Sequence, residues 1–123
     1  SSDVCSSDLA LVTFGVTAYE LGAIGVSSIY IGLNEDHVAS ASAFVKSGMG
    51  VLLGVAKDVT EAQIAEAVQQ LLEDEELRRS MSAAGRMNLD GRGAMRIAAR
   101  ITQLIEERAA AFGQLPPAKI QAA

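Results

Sequence analysis

Three short apolar runs constrain this chain more than any other feature: ALVTF at 10–14, SSIYIGL at 27–33 and GVLLGV at 50–55. None carries a charge, and each has the length and composition of a strand buried on both faces. Between the first two lies VTAYELGAIG, a helix of about ten residues, within the ordinary size range, which Gly25 can end as a left-handed cap. Between the second and third lies DHVASASAFVKSG, again helical in pattern and again closed by a glycine, Gly48. Strands that alternate with helices predict a parallel sheet, because parallel neighbours need crossovers of this kind.

Beyond Val55 the pattern is almost wholly helical. Thr60 and Gln63 have capping-box spacing, and Ile64, Val68, Leu71 and Leu72 then fall on one stripe, so a helix is expected to start near Thr60. A second is expected from about Asp74 to Met87. It follows the acidic run Glu73, Asp74, Glu75 and Glu76, read as a solvated helix junction rather than a partner surface, with Glu75 and Arg79 placed to pair. Asp90-Gly91 signals a turn. Ile97, Ile101, Leu104 and Ile105 mark a last long amphipathic helix, and Pro116-Pro117 stops it, leaving 112–123 as an expected disordered tail. The fold class expected is α/β, a partial Rossmann-like domain with three parallel strands and about five helices.

The opening SSDVCSSDL does not belong to this pattern. Written as codons AGT TCA GAC GTG TGC TCT TCC GAT CT, it reads in one frame as a translated sequencing adapter, the alternative being a polar N-terminal arm. Residues 1–9 are therefore set aside, natural sequence is expected from near Ala10, and the reading frame is expected to have lost its start upstream. Cys5, the only cysteine, then leaves the chemistry, and no disulfide framework is possible. Residues 10–111 are read as part of one Rossmann-like domain. Half of the residues are apolar but only 4% are aromatic, which suits close helix-on-sheet packing. A net charge of −5 with scattered Lys and Arg argues against nucleic acid as partner. No apolar run approaches the roughly 18 residues that span a bilayer; the cytoplasm is the expected location.

A strand, then Gly15-Val16-Thr17, then a helix can hold a phosphate: glycine permits close backbone approach, and the first-turn N–H groups and the helix dipole favour an anion. Thr17 can add a hydroxyl. The same residues allow a plainer reading, since Thr17 and Glu20 have the spacing of a T-x-x-E capping box. Met49, Met81, Met87 and Met95 read as packing residues. No metal-ligand spacing is visible, and Asp36, His37 and Ser40 stand too close together for a triad to be presumed. Arg92 and Arg96 could face a phosphate or simply be surface arginines.

Taken as a whole, TFGVTAYELGAIGVSSIYIGLNEDHVASASAFVKSGMGVLLG resembles the nucleotide-sugar-binding half of GT-B glycosyltransferases, in which a strand, a G-G-x-T/S turn, a helix glutamate, a second strand and a D/N-Q pair recur in this order. Within that superfamily it is most similar to the UDP-sugar hydrolase of pseudaminic acid synthesis and the related spore-coat polysaccharide proteins. LDGRGAMRIA at 89–98 is similar to their D-G-x-G-A-x-R segment. The resemblance covers about residues 10 to 105.

What the resemblance implies is an enzyme that hydrolyses or transfers the sugar of a UDP-sugar, without a cofactor, in surface-polysaccharide or pseudaminic acid synthesis. Gly15, Val16 and Thr17 would meet the diphosphate, Glu20 the ribose hydroxyls, and Asp36 and His37, in place of the D/N-Q pair, the sugar or diphosphate. A carboxylate suits a ribose diol because it can accept two hydrogen bonds. The catalytic base would come from a missing N-terminal Rossmann-like domain, so no catalytic residue is expected in this chain and it should be inactive alone. Three positions depart from the pattern: Phe14 replaces the first glycine and could hold the backbone away from the anion, His37 exchanges an amide for an imidazole, and Ser27 stands where proline is common. The alternative is a non-catalytic regulatory or interaction module of α/β fold. A single-domain flavodoxin-like phosphate binder is disfavoured by the small number of strands.

Overall fold

The computed structural model describes residues 8–113. In chain order these form β1 (Leu9–Thr13), α1 (Val16–Ile24), β2 (Ser27–Gly32), α2 (Glu35–Lys46), β3 (Gly50–Val55), a 3-10 turn (Ala56–Asp58), α3 (Glu61–Glu73), α4 (Glu75–Asn88) and α5 (Gly93–Phe112). The chain divides into two units, one up to Asp90 and one from Gly91 on.

In the first unit the strands form one parallel sheet in the order β1-β2-β3. This is an α/β, Rossmann-like arrangement, as the alternation of runs and helices predicts. β1 pairs with β2 without interruption from Leu9 opposite Ser27 to Thr13 opposite Ile31. Between β2 and β3 the register slips: Tyr30 faces Leu52 but Gly32 faces Val55, so β3 carries one extra residue. Gly54 occupies this bulge at φ +120°, a backbone conformation that side chains rarely adopt.

Successive residues of the central strand enter different cores, as the pleat requires. Tyr30, fully buried, joins Phe14, Ala18, Ala41, Phe44 and Met49, from the turns and helices of α1 and α2. Ile29 joins Leu71 and Met81, from α3 and α4. α4 serves both cores: Leu77 and Met81 reach the second, while Ala84, and Leu89 just past the helix end, reach the first. It passes α1 so closely that a Cβ on Gly85 would run into the backbone of Gly22.

Local chemistry accounts for most helix boundaries. Gly25 ends α1 at φ +81°, donating its N–H to Gly22, while Val26 donates to Leu21. Asn34 caps α2 by accepting from the His37 N–H at 2.9 Å. Thr60 and Gln63 form the expected reciprocal capping box at the start of α3. Asp74 caps α4 through the Leu77 N–H, and Arg79 pairs with Glu75 at 2.7 Å on the exposed surface. Arg78 donates to the carbonyls of Leu71 and Leu72, and Arg86 to that of Ile24, so two helix C-termini are satisfied from α4.

Some packing expectations are corrected. Met49 and Met81 are buried, but Met87 is 85% exposed and Met95 is also exposed. Leu72 points outward too, and Ala67 takes a place in the apolar stripe instead. Gly91 forms the expected bend at φ +71°. In the second unit α5 runs on to Phe112, inside the segment expected to be tail, and Gly113 follows in the left-handed conformation. Pro116 and Pro117, like the adapter-like opening apart from Asp8 and Leu9, lie outside the described residues.

Candidate functional site at the carboxyl ends of the strands

A parallel sheet brings the carboxyl ends of its strands to one edge, and in open α/β sheets ligands bind in the crevice outside those ends. Here the edge is built from the β1–α1 turn at Gly15, the β2–α2 turn at Leu33 and Asn34, and the 3-10 turn after β3. α1 and α2 therefore both present their N-termini to it. The Phe14 N–H still bonds the Ile31 carbonyl at 2.9 Å, so Gly15 is the first residue free of the ladder.

The two helix starts differ. α2 is closed by the Asn34 side chain, with Glu35 and Asp36 in its first turn. α1 has Gly15 as N-cap, in extended conformation, and no side chain caps it. The T-x-x-E capping box is thus not made: the helix begins at Val16, so Thr17 and Glu20 are already inside it and cannot form the box across its start. A Cβ placed on Gly15 would meet nothing within 4 Å, and Val16, Thr17 and Glu20 are exposed. The geometry leaves an open, donor-bearing helix start where the sequence places Gly15, Val16 and Thr17, with Glu20 one turn further on.

Phe14 does not crowd this space. Its ring is 5% exposed and stands edge-on to Tyr30 and Phe44, with centroids 5.4 and 5.0 Å away. Tyr19 completes the group, edge-on to Phe44 at 4.7 Å. Such edge-to-face contacts suit the ring quadrupoles. The residue at the usual glycine position therefore anchors the turn from the core side. Ser27 likewise serves packing: its buried hydroxyl donates to the Arg78 carbonyl, tying the start of β2 to α4 at the opposite end of the sheet.

Asp36 is exposed in the first turn of α2, and His37 is partly buried beside it. The His37 backbone serves the Asn34 cap, while its Nδ1 is buried without a hydrogen-bond partner among the described residues. Arg92 and Arg96 belong to the second unit, at the start of α5, where both are engaged in contacts. Among the described residues no three His, Cys, Asp or Glu side chains gather as a metal site, and no helix is long and apolar enough to cross a membrane.

Two residues of this edge escape sequence reading. Asn34 has a local signal, an Asn directly before a helical pattern. Lys57 has none, because only the parallel register brings the end of β3 level with Gly15.

Tyr30 is the buried phenol of the central strand. Burial raises its phenol above the usual value, and Ser28 on the same face pulls weakly the other way. Its hydroxyl makes no hydrogen bond of good geometry, and it lies in the core rather than at the strand ends.

No protein-family profile matches the chain, and no solved structure gives a significant match. Among curated proteins, the chain is 29% identical over 101 residues to the spore coat polysaccharide biosynthesis protein SpsG of Bacillus subtilis (strain 168). The aligned part is 82% of this chain but 30% of that protein. The chain thus spans under a third of the relative it matches, and is a distant, partial homologue of a polysaccharide-biosynthesis protein.

Proposed function

We propose that this chain is the donor-binding portion of a cytoplasmic enzyme that acts on a UDP-sugar in surface-polysaccharide or nonulosonic acid synthesis. The observation that carries this reading is the uncapped, exposed start of α1 at the carboxyl end of a parallel sheet, in a chain homologous to a spore coat polysaccharide protein. Backbone N–H groups at Val16 and Thr17, with the Thr17 hydroxyl, meet the diphosphate there, and the α1 dipole adds its favourable field. Glu20, one turn along, accepts hydrogen bonds from the ribose hydroxyls. Asp36 and His37 face the sugar or its phosphate from the start of α2.

Breaking the sugar–phosphate bond also requires a base and an acceptor, water from solvent or a bound alcohol. The base and the groups that hold the acceptor are assigned to a further Rossmann-like domain of the full-length protein, so this chain binds donor without turning it over.

The test is a UDP titration followed by NMR. Shifts at Gly15 to Glu20, affinity lowered in Glu20→Ala without loss of stability, and no UDP released from a UDP-sugar are the expected results. Absence of any shift at millimolar UDP would overturn the reading in favour of a non-catalytic module.

A further inference from the structure

A diphosphate at this edge meets an electrostatic difficulty. Glu35 and Asp36 open α2, Asp58 closes the 3-10 turn, and all three are exposed. Helix N-termini offer only partial charges, so a dianion among these carboxylates needs a full cation nearby.

The first unit has few to offer. Lys46 lies in the last turn of α2, whose chain then enters β3 at Gly50, and so stands at the amino end of the sheet. Arg78 and Arg86 are bound to the C-terminal carbonyls of α3 and α1, and Arg79 is paired with Glu75. Lys57 remains. It lies two residues beyond the end of β3, exposed, with no ion pair or side-chain hydrogen bond among the described residues.

The register places it. Gly32 is opposite Val55, and Phe14 bonds Ile31, so Gly15 and Lys57 leave the sheet at nearly the same level on either side of β2. With neighbouring strands about 4.8 Å apart, the ends of β1 and β3 are roughly 10 Å from each other. Two linked phosphoryl groups and a flexible four-carbon stem can cover that gap. The bulge at Gly54 sits immediately before this exit, and bulges commonly re-aim the chain beside binding sites.

We propose that Lys57 supplies the cationic contact to the donor diphosphate, opposite the α1 N-terminus. The proposal rests on the donor-site reading above and adds to it a residue from the third strand. Calorimetric titration of the whole chain with UDP and with uridine separates the two ideas. Lys57→Met should weaken UDP binding about tenfold, the scale of one charge-assisted hydrogen bond, flatten its salt dependence and leave uridine binding unchanged; Lys57→Arg should retain most of the affinity. If wild type binds UDP and Lys57→Met binds it equally well, the Lys57 assignment falls while the donor site stands. If folded wild type binds no UDP at millimolar concentration, both fall.

Discussion

Tyr30 illustrates what a single residue contributes to this fold and to its response to pH. Its ring fills the first core, edge-on to Phe14 and Phe44, while its hydroxyl is buried without a good partner. Removing an unpartnered hydroxyl leaves no other group unsatisfied, so Tyr30→Phe should hold or raise stability at neutral pH, by up to about 1 kcal/mol. The alkaline limb should change more. Burial raises the folded phenol above its ordinary value of 10.0, so as pH climbs past that value the unfolded chain ionises first and is favoured. The contribution of Tyr30 is therefore complete below about pH 10 and lost above it. Urea unfolding at about pH 8 and about pH 11 should show a steeper loss in wild type than in Tyr30→Phe; equal losses would refute the assignment. Other side chains were readable one by one. Gly25 and the Thr60–Gln63 pair do what their spacing says, because a cap is closed by atoms three or four residues away. Leu72 and Met87 were not readable, since several rotations of a helical stripe satisfy the same apolar pattern until a neighbouring layer selects one.

Among the elements, α4 has the least predictable role. Its length and amphipathic pattern are plain in the sequence, but nothing in them says that it serves both cores and touches α1 through a pair of glycines. That contact depends on Gly22 and Gly85, 63 positions apart, each lacking a side chain where the backbones meet. Gly85→Ala should therefore destabilise the protein by about 2 kcal/mol, as overpacking does, even though alanine is the better helix former. Urea denaturation measures it, and an unchanged or raised midpoint would show that the helices separate without cost. α1 gives the complementary case. The sequence offers Thr17 and Glu20 as a cap; the structure starts the helix two residues earlier, because Phe14 is drawn into the aromatic core and leaves Gly15 to turn the chain. The exposed amides of the candidate site follow from that burial. At β3 the bulge was equally hidden, since GVLLGV reads as a regular strand and only pairing with β2 reveals the extra residue.

For the molecule as a whole, the division at Asp90 makes a test of its own. Every side chain named in the two cores lies at or before Leu89, so the part ending at Asp90 should fold by itself. A chain truncated there should keep a cooperative urea transition; broad, non-cooperative unfolding would mean that the remainder is needed for the core. The sequence alone determined the order of elements, the parallel sense of the sheet and the glycine turn ahead of α1, because period, glycine punctuation and capping act over a few residues. Tertiary structure decided which helix start remains open, where β3 bulges, that Phe14 faces inward and that Lys57 shares an edge with Gly15. Those outcomes depend on contacts between residues far apart in the chain, where burying one side chain or omitting another sets how closely two backbones approach.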